Sequence, residues 1–118
     1  LQENAISYRR DRDFDTALFK IAGISYTGVV PPDTVGGVGP NYYIQMINGG
    51  SGAVAQIFNK NGTSALGPFN LDTLWQGSGN CATGHGDPIV LYDRQADRWL
   101  LAEFASSGNH LCVYISQT

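Results

Sequence analysis

Turn-forming segments rich in Gly, Pro and Asn interrupt this chain at short intervals. The longest of them, residues 31–40, opens on two Pro and contains three Gly. Proline has no N–H to donate and glycine favours turns, so this segment excludes a regular helix and a central strand. Gly makes up 15 of 118 residues, only 14% of the residues are charged, and Tyr and Phe are frequent. This combination indicates short strands joined by tight turns, and therefore an all-β fold.

Apolar and aromatic runs between the turns predict the strands. Asn61-Gly62 is a strong hairpin signal, because Asn and Gly accept the positive φ that two-residue turns require. The return strand after it passes through Leu66 and is expected to end at Gly67-Pro68. Residues 71–75 fit a short strand or a single helical turn. The other predicted strands cover residues 41–48, 53–58, 89–92, 98–104 and 110–116.

Two cycles of strands are weakly alike. Phe58 and Tyr92 lie 34 residues apart, and each ends an apolar run that is followed by Asn or Asp and then a basic residue. Asp33 and Asp87 each lie beside a Pro in a turn that opens a strand. Repeated antiparallel meanders of this kind predict two propeller-like blades. A compact β-sandwich of seven or eight short strands is the alternative.

Charge is concentrated at the N-terminus, where the first twenty residues carry eight of the seventeen charges. Phe14, Leu18 and Ile21 fit one face of a short amphipathic helix, and an extended arm leading into a strand over residues 17–26 fits equally well. We assign residues 1–27 to a charged arm or lead-in strand. Residues 28–118 are assigned to a β-propeller-like segment of about two blades, which is incomplete.

The net charge and the hydropathy of the chain argue against nucleic acid and against a membrane as its partners. A net charge of −3 and an isoelectric point near 5.0 give no indication of nucleic-acid binding. No stretch of 18 apolar residues is present, so no membrane span is expected. The chain has no initiator Met and no signal-peptide pattern at Leu1, and is expected to be a mature, processed or excised piece.

The two cysteines, Cys81 and Cys112, are separated by 31 positions and belong to no CxxC motif or metal-type cluster. A disulfide between them is the preferred interpretation, and two buried free thiols are the alternative. Closing such a loop would stabilise the fold by roughly 3–4 kcal/mol. It would also place the chain in an oxidising compartment, outside the cell or in a periplasm.

Three stretches are fairly specific in combination: PPDTVGGVGPNYYIQ at residues 31–45, GDPIVLYDRQADRW at residues 86–99 and LCVYISQT at residues 111–118. Together they resemble the N-terminal blades of a largely uncharacterised family of secreted bacterial β-propeller proteins. The resemblance covers roughly residues 20–118. It implies a propeller fold, export, and packing against the remainder of the polypeptide or against other copies or subunits. It implies no settled activity.

Asp33 and Asp87 are the first candidate site residues. In a propeller the innermost strand of each blade starts near the central channel, so equivalent aspartates would ring its mouth. Carboxylates in Gly-rich loops suit Ca²⁺, a hard ion with oxygen ligands, and Ca²⁺ is the one cofactor considered. The alternative is that each Asp orders its own turn by accepting backbone N–H groups. Asp93 and Asp97 flank one hairpin and are assigned to turn stabilisation.

The sequence presents no convincing catalytic set. His85 and His110 are the only histidines, and no Gly-x-Ser-x-Gly nucleophile elbow accompanies them. Glu103 with Asp87 is a weaker hypothesis for a glycosidase-type carboxylate pair. Trp75, next to a Gly/Ser loop, is the aromatic residue most expected to be exposed. We assign it as a ligand contact, with a glycan as the candidate ligand through stacking.

These features favour an extracellular segment with a structural or a ligand- or partner-binding role over an enzyme. Two alternatives stay open. The chain could be a non-catalytic part or processed subunit of a secreted hydrolase, or a self-assembling extracellular subunit completed by neighbouring chains.

Overall fold

Seven β-strands and two short 3-10 helices make up the regular structure of the described chain. The computed structural model describes residues 20–117. Its strands are β1 (Val35–Val38), β2 (Tyr42–Gly49), β3 (Gly52–Asn59), β4 (Ser64–Asn70), β5 (Gly84–Asp93), β6 (Arg98–Ala105) and β7 (Leu111–Ile115), and the 3-10 helices are Leu71–Leu74 and Asn80–Ala82. The all-β prediction is therefore confirmed. No helix within residues 20–117 has the length and apolar character needed to cross a membrane.

The strands form two antiparallel meanders. The first sheet has the order β1-β2-β3-β4 and the second has the order β5-β6-β7. Short polar turns connect them, as the sequence indicates. In the β5–β6 turn, Asp93 Oδ1 accepts the backbone N–H groups of Gln95 and Ala96 at 2.8 and 3.1 Å. In the β3–β4 turn, Asn61 Oδ1 accepts the backbone N–H of Thr63 at 3.1 Å.

Some strand boundaries differ from those expected. β4 does not end at Gly67-Pro68 but continues to Asn70. Proline is tolerated there because β4 is an edge strand whose pairing with β3 contains register shifts. β1 is likewise an edge strand, formed within the Gly/Pro segment. Residues 20–27 contain no strand, and residues 1–19, which carry most of the expected charged arm, lie outside the described chain.

The two sheets share a repeat, but not at the 34-residue spacing. Phe58 lies on β3 and Tyr92 on β5, so that similarity relates the third strand of one sheet to the first strand of the other. Asp33 and Asp87 instead lie 54 residues apart, one just before β1 and one within β5. Asp33 lies just before its strand, as expected, whereas Asp87 lies inside its strand, because β5 begins at Gly84 and not after Asp87-Pro88.

The core lies between the two sheets, which pack face to face. Side chains from alternate positions of β2 and β3 meet alternate positions of β5 and β6, as expected for sheets with one buried face. The buried cluster consists of Ile44, Met46, Ala53, Ala55, Leu71, Val90 and Leu101. Face-to-face packing of this kind is shared by a two-sheet sandwich and by two neighbouring propeller blades.

A disulfide joins Cys81 to Cys112, with an S–S distance of 2.07 Å and a Cα–Cα distance of 5.6 Å. Cys81 lies in the 3-10 helix Asn80–Ala82 and Cys112 lies on β7, where it is 1% exposed. The bond attaches the connection between the two sheets to the edge strand of the second. The predicted disulfide is confirmed.

Candidate functional site

Asn48, near the end of β2, brings the two candidate aspartate turns together. Its Nδ2 donates to Asp33 Oδ2 at 2.9 Å and to the Pro31 carbonyl at 3.0 Å. Its Oδ1 accepts the backbone N–H of Asp87 at 2.8 Å. Because the side chain is only 7% exposed, these bonds are shielded from water. One amide thus links the turn before the first sheet to the first strand of the second sheet.

The backbone around both aspartates is shaped for this junction. Asp33 has φ 43° and Asp87 has φ 53°, in the left-handed region that Asp tolerates better than most residues. Gly86 has φ 104°, and a Cβ there would overlap Asn48 Oδ1. Asn48 thus holds Asp33 through its carboxylate and Asp87 through its backbone N–H. The interpretation that each carboxylate orders its own turn stays a prediction.

The metal hypothesis at Asp33 and Asp87 stays a prediction. Residues 20–117 contain no group of three or more His, Cys, Asp or Glu residues placed to hold a metal ion. Asp33 is half-buried and Asp87 is exposed, so further oxygen ligands would have to come from backbone carbonyls or water.

Saturating Ca²⁺ is expected to raise the melting temperature relative to chelator. Occupancy at 100 times Kd stabilises a fold by about 2.7 kcal/mol, a shift of several degrees for a chain of this size. Asp87→Asn should abolish the shift, since Asn keeps the left-handed backbone but loses the charge. Asp93→Asn, on the distant hairpin turn, is the control. An identical melting temperature in Ca²⁺ and chelator would leave turn ordering as the whole role of Asp33 and Asp87.

Glu103 forms a second polar contact between the sheets. It lies on β6, is 0% exposed, and its Oε2 accepts the backbone N–H of Ala53 at 2.8 Å. Its Oε1 has no hydrogen-bond partner. A Cβ on Gly84 would overlap this carboxyl group, so glycine is needed for the close approach. Burial raises the pKa of Glu103 above its ordinary value, and the nearby Asp72 charge adds to the rise.

Tyr114, half-buried on the same face of the second sheet as Glu103, has a buried hydroxyl group. Its hydroxyl has no hydrogen-bond partner. Burial, with smaller contributions from the Glu103 and Asp72 charges, raises the pKa of Tyr114 to about 12. The phenol therefore stays neutral over the physiological range.

The proposed glycosidase pair does not form a usable site. Glu103 is fully buried between the sheets, whereas Asp87 is exposed. One sugar cannot contact both carboxyl groups without separating the sheets. His85 and His110 are both exposed.

The sequence reasoning missed Asn48 and saw Glu103 only as a catalytic candidate. The alternation of inward and outward side chains along a strand was the signal that could have identified both residues. Asn48 lies two positions after Met46 on β2, and Glu103 lies two positions after Leu101 on β6, so each side chain points inward.

An open cleft of about 700 Å³ separates the far ends of the two sheets. Its walls are mostly apolar and aromatic, and Leu66 and Ile115 at its rim are 57% and 63% exposed. Trp75 does not line it, although the preceding Leu74 does. Trp75 is 39% exposed, and its Nε1 donates to the Ser78 carbonyl at 3.3 Å. A ligand contact at Trp75 stays a prediction.

The outer face of the second sheet carries only apolar side chains along three paired rows. Pairing places these residues side by side on the face that points away from the first sheet: Ile89, Leu91, Leu100, Ala102, Phe104, Leu111, Val113 and Ile115. Six of them are between 43% and 63% exposed. An antiparallel sheet with one face in water normally alternates apolar and polar residues. The central rows of this outer face are instead apolar, and the face ends in the polar pair Asp93 and Arg98 beside the β5–β6 turn.

The comparisons with known proteins add no relative to this description. No family model matches the chain, and neither a curated protein nor a solved structure matches it.

Proposed function

We propose that this chain is a β-propeller-like segment with a structural, partner-binding role, in which the second sheet is an internal blade. The observation that carries the proposal is the outer face of the second sheet. Its inner face already packs against the first sheet, so a sheet whose outer face is also apolar along its central rows fits between two neighbours. A closed two-sheet sandwich would leave its outer face polar.

The two outer faces of the stacked pair differ. On the first sheet, Gln45 and Gln56 pair on the outer face, and Gln45 Oε1 accepts the backbone N–H of Ile24 at 2.9 Å. The segment before β1 thus contacts that face at Ile24. On the second sheet the polar pair Asp93 and Arg98 lies at the end of the outer face, beside the β5–β6 turn, and the rows between Leu91 and Leu111 are apolar. This asymmetry supports stacking that continues from the second sheet only.

The free energies involved favour a covalently linked occupant, the remainder of the same polypeptide. Full burial of a large apolar side chain contributes about 1.5–3 kcal/mol, so completing the burial of six half-exposed side chains contributes roughly 6 kcal/mol. Association of separate molecules costs about 4–15 kcal/mol before any gain appears. A linked sheet avoids most of that cost.

The disulfide supports an extracellular or periplasmic location, since such bonds persist in oxidising compartments. No arrangement of described residues favours the alternative of a hydrolase part. A self-assembling subunit is the competing outcome of the experiment that follows.

The purified 118-residue chain is expected to bind an apolar dye and to associate at micromolar concentration, because its outer face is uncovered. Leu91→Lys with Val113→Lys should restore a monomer in light scattering. Val30→Lys with Val38→Lys changes two exposed apolar residues elsewhere and serves as the matched control. A discrete dimer would favour the self-assembling subunit. A monomer that binds no dye and melts cooperatively would overturn the proposal.

A further inference from the structure

The cleft between the two sheets has an apolar body and one charged end. β4, the 3-10 helix Leu71–Leu74 that follows it, and residues of β2 and β3 line one side. The β5–β6 hairpin and β7 line the other. Its deep lining includes Ile57, Phe69 and Leu101. A volume of about 700 Å³ lies within the range of small-molecule sites. The cleft therefore suits a ligand with a hydrocarbon portion.

Asp97 is the single charged residue among the described residues that line the cleft, and it lies next to two aromatic rings. The hydroxyl of Tyr92 donates to Asp97 Oδ1. The rings of Tyr92 and Trp99 lie 5.1 Å apart between centroids and are inclined by 55°. Aromatic faces beside a carboxylate attract organic cations, through the ring quadrupole and through the opposite charge.

Two arginines, Arg94 and Arg98, lie near Asp97 in the chain, and neither lines the cleft. Arg94 lines a separate, smaller hollow with Val38, Gly39 and Pro40, on the Tyr92 side of the hairpin, and does not line the cleft. Arg98 Nη1 donates to the carbonyl of Ser116, a residue of the cleft lining, at 3.1 Å, so this guanidinium lies at the cleft edge. Neither arginine is part of the lining that surrounds the Asp97 carboxylate. The net charge of −3 also favours the approach of a cation.

We propose that this cleft binds a small amphipathic organic cation of the alkylammonium class. The ammonium group lies against Tyr92, Trp99 and Asp97, and the hydrocarbon portion lies among the apolar walls. The cleft lining shares Ile115 with the outer face of the second sheet, but Leu91 and Val113, the residues changed to test that face, lie outside the cleft, so either proposal can fail alone.

The test compares three probes with the same six-carbon chain: hexyltrimethylammonium, 1-hexanol and hexanoate. Trp75→Phe leaves Trp99 as the only tryptophan, so its fluorescence reports on the cleft. We expect saturable quenching by the cation, at least tenfold weaker binding of the alcohol, and no binding of hexanoate. Equal affinity for all three probes, or no saturable binding of the cation, would overturn the proposal without any further variant.

Asp97→Asn then isolates the charge. Asp97 has φ 53°, which Asn also tolerates, and the amide oxygen can still accept from Tyr92. Binding of the cation should weaken about tenfold while binding of the alcohol stays unchanged. Asp93→Asn removes the same charge from the same hairpin outside the cleft and should leave cation binding intact. Equal effects of the two variants would show a general charge effect and contradict the site.

Discussion

Glu103→Gln is expected to make the protein more stable than the wild type at pH 8, by roughly 1–3 kcal/mol. The carboxyl group lies fully buried between the sheets, and only one of its oxygens is hydrogen-bonded. Burial of an ionised group without full compensation is unfavourable. Glutamine keeps the shape and the acceptor for the Ala53 N–H but carries no charge, and so removes that cost.

The raised pKa of Glu103 determines the direction in which the stability of the wild type changes with pH. The pKa of Glu103 is raised in the fold, from an ordinary value near 4.5, by burial first and by Asp72 second. Between the two pKa values the folded state binds more protons than the unfolded state, so stability falls as pH rises. The contribution of the neutral carboxyl group is fully present below about 4.5 and is lost as pH rises through the folded pKa.

Urea unfolding of wild type and Glu103→Gln across pH 4 to 9 checks this prediction. The two curves should converge at the acidic end and separate toward pH 8. Glu103→Ala is the control for packing. At pH 4 it should cost about 3 kcal/mol, because the Ala53 N–H loses its acceptor and a cavity opens. A wild type that gains stability between pH 5 and 8 relative to Glu103→Gln would contradict the assignment.

The sequence predicts the local elements of this fold well, because each depends on residues that are adjacent in the chain. Asn61-Gly62 forms the expected turn region, and Asp93 orders the next hairpin turn through two backbone N–H groups. Asp33 lies just before a strand, as predicted, because its Pro neighbours are a local turn signal. Asp87 lies inside β5, which begins at Gly84, three residues before it.

The contacts between the two sheets could not be predicted from the sequence, because they depend on how the sheets are placed relative to each other. Nothing adjacent to Asn48 indicates that its amide meets Asp87, which lies 39 residues further along the chain. The same is true of Glu103 and Ala53, 50 residues apart. Alternation shows that both side chains point inward, yet only the packing of the sheets identifies their partners. The outer face of the second sheet likewise required the register of β5, β6 and β7.

Cys81→Ala is expected to lower the free energy of unfolding by roughly 3–4 kcal/mol. The bond closes a loop of 31 residues, and its removal returns that loop's conformational freedom to the unfolded chain. The loop contains β5 and β6, so its ends are held together across most of the second sheet. Changing Cys81 rather than Cys112 isolates the cross-link, because Cys81 is half-buried while Cys112 packs in the interior.

Denaturant unfolding with and without a phosphine reductant measures this effect. Reduced wild type and Cys81→Ala should unfold at the same midpoint, and the reductant should not change the variant. Cys112→Ala should be less stable than Cys81→Ala, by an amount that reflects the cavity left at a side chain that is 1% exposed. A loss below 1 kcal/mol in Cys81→Ala would mean that the unfolded chain already keeps these ends close. In that case the sheet pairing, rather than the covalent bond, would hold the inter-sheet connection in place.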